Sequence, residues 1–156
     1  MVSTSERYGF IIPIWKKWWD RFCVLNRGGK KIHAHIRGGY APPKTAEKLF
    51  FYVVKPVGEI RGYADFYERV VGDREDLWER YGHESCLESK DLYYNLVDGH
   101  VRVTFIRFKN LRESLNPVKL DEILVHVGRE KTIPRKGLYI SEEIGLKLVC
   151  MIEGNR

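Results

Sequence analysis

Lys48-Leu-Phe-Phe-Tyr-Val-Val54 is an almost unbroken run of aromatic and aliphatic side chains, closed by Lys55-Pro56-Val57-Gly58. A run this short, rich in β-formers and stopped by a Pro/Gly turn, reads as a fully buried strand. The chain must therefore build a sheet and cover it. Further strands follow from alternation. Lys31-Ile-His-Ala-His-Ile-Arg37 alternates strictly, which predicts a half-buried strand with Ile32, Ala34 and Ile36 on one face and Lys31, His33, His35 and Arg37 on the other. Glu59 to Val71 and His100 to Lys109 alternate more loosely, the second following an Asp98-Gly99 turn and reading as a central strand, and Leu138 to Ile140 makes a short one.

Helical signals frame these runs. Pro13 follows the apolar run Tyr8 to Ile12 and suits the first position of a helix, which the spacing of Ile14, Trp18, Phe22 and Leu25 carries to about Asn26. Asp73 can cap a short helix bearing Leu77, Trp78 and Tyr81, Ser89 can start another, and Ser141-Glu142-Glu143 opens a last one with Ile144, Leu146 and Leu148. Asn116-Pro117 reads as a connector, Leu120 to Val127 fits helix or strand, and Ile133 to Gly137 is a loop. The sum is an α+β protein, a small β-barrel of about five or six strands flanked by helices, in a single domain spanning residues 1–156.

Charge narrows the partners. The 27 Lys and Arg exceed the 21 Asp and Glu, leaving +6 and a pI near 9.2, a balance that favours an anionic partner. At 44% hydrophobic and 13% aromatic residues, disorder is excluded. No apolar run reaches the ~18 residues of a spanning helix, and the first ten residues carry no secretory leader, so neither a membrane nor conventional secretion is expected. Cys23, Cys86 and Cys150 are odd in number and scattered, which argues for reduced thiols in a cytoplasm and against a disulfide framework or zinc site. Gln is absent while Lys, Arg and Glu abound, a bias of thermophilic chains.

The order of motifs has a likeness. Leu49 to Val54, the Lys55-Pro56 turn, Ile60-Arg-Gly-Tyr-Ala64, Asp76-Leu-Trp-Glu79, a helix containing Tyr94, and Asn116-Pro-Val-Lys-Leu120 together resemble the ASCH group of the PUA-like superfamily. The opening Ile-Pro-x-Trp segment and the Gly-Lys before the early strand look similar to an archaeal family within it. The resemblance implies a PUA-like barrel. It also implies a cleft, thought to bind nucleic acid, lined by a G-x-K-x-x-x-x-R strand motif; here Gly28 and Lys30 match, the Arg position falls on His35, and Arg37 stands two residues later.

The candidate interface is accordingly Lys30, Lys31, His33, His35 and Arg37, with Tyr40 and Trp15 as stacking faces and Arg61, Lys131 and Arg135 extending the positive surface. His33 and His35 alone do not make a metal site, since no third ligand is evident and cations flank them, and no cofactor is expected. No nucleophile elbow, P-loop, dinucleotide fingerprint or HExxH occurs. The sequence thus points to a module that binds RNA, or a nucleotide within it, without chemistry. Two alternatives are a small amidohydrolase on a modified nucleoside, which the resemblance would build on Lys30 with Glu59 or Glu68, and a protein-interaction module with a basic face.

Overall fold

The computed structural model describes residues 4–128 and 132–154. After a 3-10 turn at Thr4–Arg7 come β1 (Gly9–Ile14), α1 (Lys16–Arg27), β2 (Ile32–Gly38), β3 (Lys48–Val53), β4 (Glu59–Asp73), α2 (Arg74–Tyr81), α3 (Lys90–Leu96), β5 (Arg102–Lys119), α4 (Leu120–Val127), β6 (Leu138–Ile140) and α5 (Glu142–Ile152). The six strands form one mixed sheet in the order β2-β5-β4-β3-β1-β6. Only β1 and β3 run parallel. Register shifts interrupt the β3–β4 and β4–β5 ladders, and such bulges add twist, curling long strands into a barrel-like sheet. It does not close: β2 and β6 are its edges.

Pro13 does not start the helix. It lies in β1, which pairs with β3 along its length but with β6 only through Gly9 to Ile11, so a residue without a donor sits where one side of the ladder has already ended. Trp15 caps α1 with extended backbone and no side-chain bond. The buried stripe is therefore Trp19, Phe22 and Cys23, with Trp18 and Leu25 half-buried and Ile14 in the strand. Likewise Asn116-Pro117 is no connector: the β4–β5 ladder skips from Gly62–Glu113 to Ile60–Val118, and the Pro falls in the irregular stretch, where a missing donor is tolerated. Leu120 to Val127 is helix, ended by Gly128 at φ 70°, the left-handed cap that glycine supplies without strain. The caps at Asp73, Ser89 and Ser141 are as expected.

Three apolar clusters cover the sheet. Trp19, Phe22 and Cys23 of α1 pack with Phe51, Phe108 and Val53; Ile123 and Leu124 of α4 and Leu148 and Ile152 of α5 pack with Phe50, Tyr52 and Ile60; Leu77, Tyr93 and Val97 pack with Ala34, Ile36 and Phe105. Strand β2 is thus enclosed on both faces. The expectation that its ionisable residues share a solvated surface fails at His33, which has 0% exposure and stacks on Phe108 at 5.3 Å and against the edge of Phe22 at 5.6 Å, because α1 lies across the face that alternation assigned to water.

Gly62 marks the tightest approach of helix to sheet. A Cβ there would stand 2.4 Å from the Arg112 carbonyl oxygen and 2.5 Å from the Trp19 ring. Gly62→Ala should cost about 1–3 kcal/mol of stability through displacement of Trp19, read in urea denaturation. An unchanged midpoint would mean that α1 moves aside freely.

Candidate nucleic-acid interface

The interface is built where β1 hands over to α1 and both face β2 and α3. Strand β1 pairs with β3 as far as Ile14, Trp15 turns the chain, and the first turn of α1 presents Lys17 beside Trp18, its ammonium 4.5 Å from the ring centroid. A cleft of about 620 Å³ opens here, lined by Trp15, Lys17, Trp18, His35, Arg37 and Asn95 among others. A second, of about 750 Å³, continues past Trp15 and Arg37 toward Tyr52, Lys55 and Arg135. No Asp or Glu lines either compartment among the described residues. Elsewhere cations and anions mix: Arg27 and Arg61 share a cavity with Asp20 and Glu113, and Lys119 shares one with Glu59 and Asp121. Among the described residues the Trp15 cleft combines positive charge, an aromatic face that is 63% exposed and a lining without carboxylates, which is the composition that phosphate and an unpaired base require.

Arg37 has a structural as well as an electrostatic role. Its Nη2 donates to the Arg135 carbonyl at 2.9 Å and Nη1 to the Lys136 carbonyl at 3.3 Å, so it ties the edge strand β2 to the loop before β6 and spans the gap the open sheet leaves. Neutral carbonyls orient the guanidinium without cancelling its charge. Burial pushes its pKa down from the ordinary value, without approaching neutrality.

The two histidines stay uncharged near neutrality. Burial, reinforced by the Lys30 cation, holds His33 down to about 4; burial and the Arg37 cation hold His35 down to about 3. His35 borders the cleft and is half-buried, so water screens it in part, and the fully enclosed His33 carries the firmer effect. Neither ring gains binding charge as pH falls from 8 to 6. Each ring is held neutral, and the enclosed His33 donates one bond, from Nε2 to Asn26 Oδ1 at 3.2 Å.

The structure brings together Trp15, His35, Arg37 and Arg135 of the residues named from sequence. It sets the others apart. Lys30 donates to the carbonyls of His83 and Ser85, and burial lowers its pKa against the opposing pull of Glu84. Lys31 and Tyr40 are exposed but line neither compartment. Arg61 is paired with Glu59 at 2.8 Å, and Lys131 lies outside the described residues. Lys30 does not meet Glu59 or Glu68 either, since those carboxylates bond Arg61 and Arg107, so the pair on which the amidohydrolase alternative depended is not formed. Sequence reasoning missed Lys17, Lys55 and Asn95. Lys17 was legible as a cation between tryptophans in Trp15-Lys-Lys-Trp18, and Lys55 as the cation at the turn that ends β3 beside β1. Among the described residues no group of three or more His, Cys, Asp or Glu could hold a metal ion, and no helix is long and apolar enough to cross a membrane.

The six-stranded mixed sheet with its flanking helices is an α+β arrangement of the ASCH, PUA-like type, the fold that the chain shares with solved ASCH structures. The chain is 28% identical over 151 residues, 97% of its own length and 97% of the relative's, to a protein of Zymomonas mobilis named ASCH domain-containing ribonuclease. The crystal structure of ASCH from Zymomonas mobilis superposes with a TM-score of 0.75 at 23% identity, covering 94% of this chain and 96% of that one. A mutant of the same protein gives 0.76 at 24% identity, over 93% and 99%. No family model matches the sequence.

Proposed function

We propose that this protein binds single-stranded RNA in the cleft around Trp15 and Arg37. The observation that carries the reading is the acid-free lining: Lys17, Arg37, Lys55 and Arg135 surround an exposed tryptophan, and no Asp or Glu lines either compartment among the described residues, Lys55 alone also bordering the neighbouring cavity of Glu59 and Asp121. Cations neutralise phosphate, and the indole offers a face on which any base stacks. A duplex would hide its bases from that face. The RNA-directed name of the Zymomonas mobilis relative supports the same partner.

That name also favours a second reading, in which the bound strand is cut. Cleavage by the neighbouring 2′-hydroxyl needs a proton acceptor, and His35 is the cleft group that keeps an imidazole lone pair at neutral pH. A base with so low a pKa is weak, which is why binding stands first.

The test is the salt dependence of affinity for a labelled oligouridylate. Replacing Lys17, Lys55 and Arg135 by Ala should flatten the log-affinity against log-salt slope by roughly two units, at ~0.7 per lost phosphate contact. Trp15→Ala should weaken binding by about tenfold at every salt concentration, since stacking is worth roughly 1–3 kcal/mol per base. Arg80 and Lys147, which pair with Asp76 and Glu143 within their own helices α2 and α5, supply the control double variant. Equal losses in control and cleft variants, or a wild type that fails to bind at low salt, overturn the reading. Incubated oligouridylate that is shortened by wild type and left intact by His35→Gln would establish the second.

A further inference from the structure

We propose that the cleft takes two consecutive nucleotides of one strand, one in each compartment, with the phosphodiester between them crossing the divide formed by Trp15 and Arg37. The proposal rests on the RNA-binding reading and specifies its ligand. The two cavities, of about 620 and 750 Å³, share Pro13, Trp15 and Arg37 and no other lining residue. Each is large enough for a nucleotide-sized ligand.

Each compartment also has its own set of groups. Lys17, His35 and Asn95 serve the first, Lys55 and Arg135 the second. Their cations stand on either side of Arg37, a succession that suits the repeating charge of a strand better than one terminal phosphate. Arg37 is held by the carbonyls of Arg135 and Lys136, so its position on the divide is fixed before any ligand arrives, and the ordering cost of binding is reduced. Trp15 stands beside it with most of its surface open. In the first compartment the His35 ring has no hydrogen-bond partner among the described side chains, and it stays neutral. A neutral imidazole offers one donor and one acceptor, the complement of a base edge rather than of a phosphate.

Three probes test the length requirement: uridine 5′-monophosphate, the dinucleoside monophosphate UpU, and pentauridylate, each titrated calorimetrically. UpU carries less negative charge than the mononucleotide. If the cleft were merely a basic patch, it would bind less well. Two occupied compartments predict the reverse, UpU tighter by about tenfold or more, the worth of one further stacked base, with pentauridylate tighter again through its flanking phosphates. Lys17→Ala and Lys55→Ala should each weaken pentauridylate, whose flanking phosphates extend into the two compartments. Equal or tighter binding of the mononucleotide, or loss in only one of the two lysine variants, overturns the two-compartment proposal while RNA binding stands, provided pentauridylate still binds. If none of the three probes binds, both readings fall together.

Discussion

Replacing Arg107 by methionine should lower the unfolding free energy by about 3–5 kcal/mol, the cost of leaving a buried carboxylate without its partner. Arg107 projects from β5, donating through Nε and Nη2 to both oxygens of Glu84 at 2.7 and 2.8 Å and through Nη1 to Glu68. Its guanidinium also lies 4.7 Å from the Tyr67 ring and 4.6 Å from the Tyr81 ring. Glu84 retains 8% side-chain exposure and sits in the 3-10 turn Gly82–Glu84, whose His83 carbonyl accepts from Lys30. Losing the arginine strands the carboxylate and loosens that turn. Urea denaturation measures the effect. The double variant Arg107→Met with Glu84→Leu should recover most of it, because the desolvation cost leaves with the second charge. A single variant that loses less than about 1 kcal/mol would mean that water already shares the site.

Acid should weaken the fold by roughly 2–4 kcal/mol between pH 7 and pH 5. His33 and His35 are neutral in the folded state, with pKa values held to about 4 and about 3, whereas in the unfolded chain each takes up a proton below about 6.5. Between those limits the unfolded state binds more protons, so stability falls as pH falls, by about 1.4 kcal/mol per pH unit for each fully shifted histidine. At pH 5 His33 alone removes about 2 kcal/mol relative to pH 7, and His35, partly bordering the cleft, removes less. The check is the unfolding midpoint between pH 7 and 4.5. His33→Gln should flatten that profile more than His35→Gln, and a wild-type profile without slope over this range would show that the rings are solvated.

Much of the fold is legible in the sequence, and the reasons are local. Lys48 to Val53 forms a strand enclosed on both faces because no alternation leaves it a solvated side. Asp73, Ser89 and Ser141 start helices because each side chain can accept from an amide in the first turn, as each does. Pro13 and Pro117 misled for one shared reason: proline reports a backbone amide that is not needed, and a ladder that has ended or bulged satisfies that condition as well as a helix start or a connector does.

The interface divides along the same line. Alternation in Lys31 to Arg37 establishes which side chains share a face, and it does so correctly: His33 and His35 both approach Phe22, while Ala34 and Ile36 join the opposite cluster. What it leaves open is what lies over that face. The sequence by itself determined the sheet, the helix caps, the excess of positive charge and the parity of β2. Only the tertiary structure decided that α1 would cover His33, that Lys30 would be spent on the carbonyls of a distant turn, and that Trp15 with Lys17, Arg37, Lys55 and Arg135, drawn from four separate stretches of chain, would meet around one cleft. A strand's period fixes the direction of a side chain relative to its neighbours, but cover comes from elements remote in sequence, and no local pattern encodes which of them arrives.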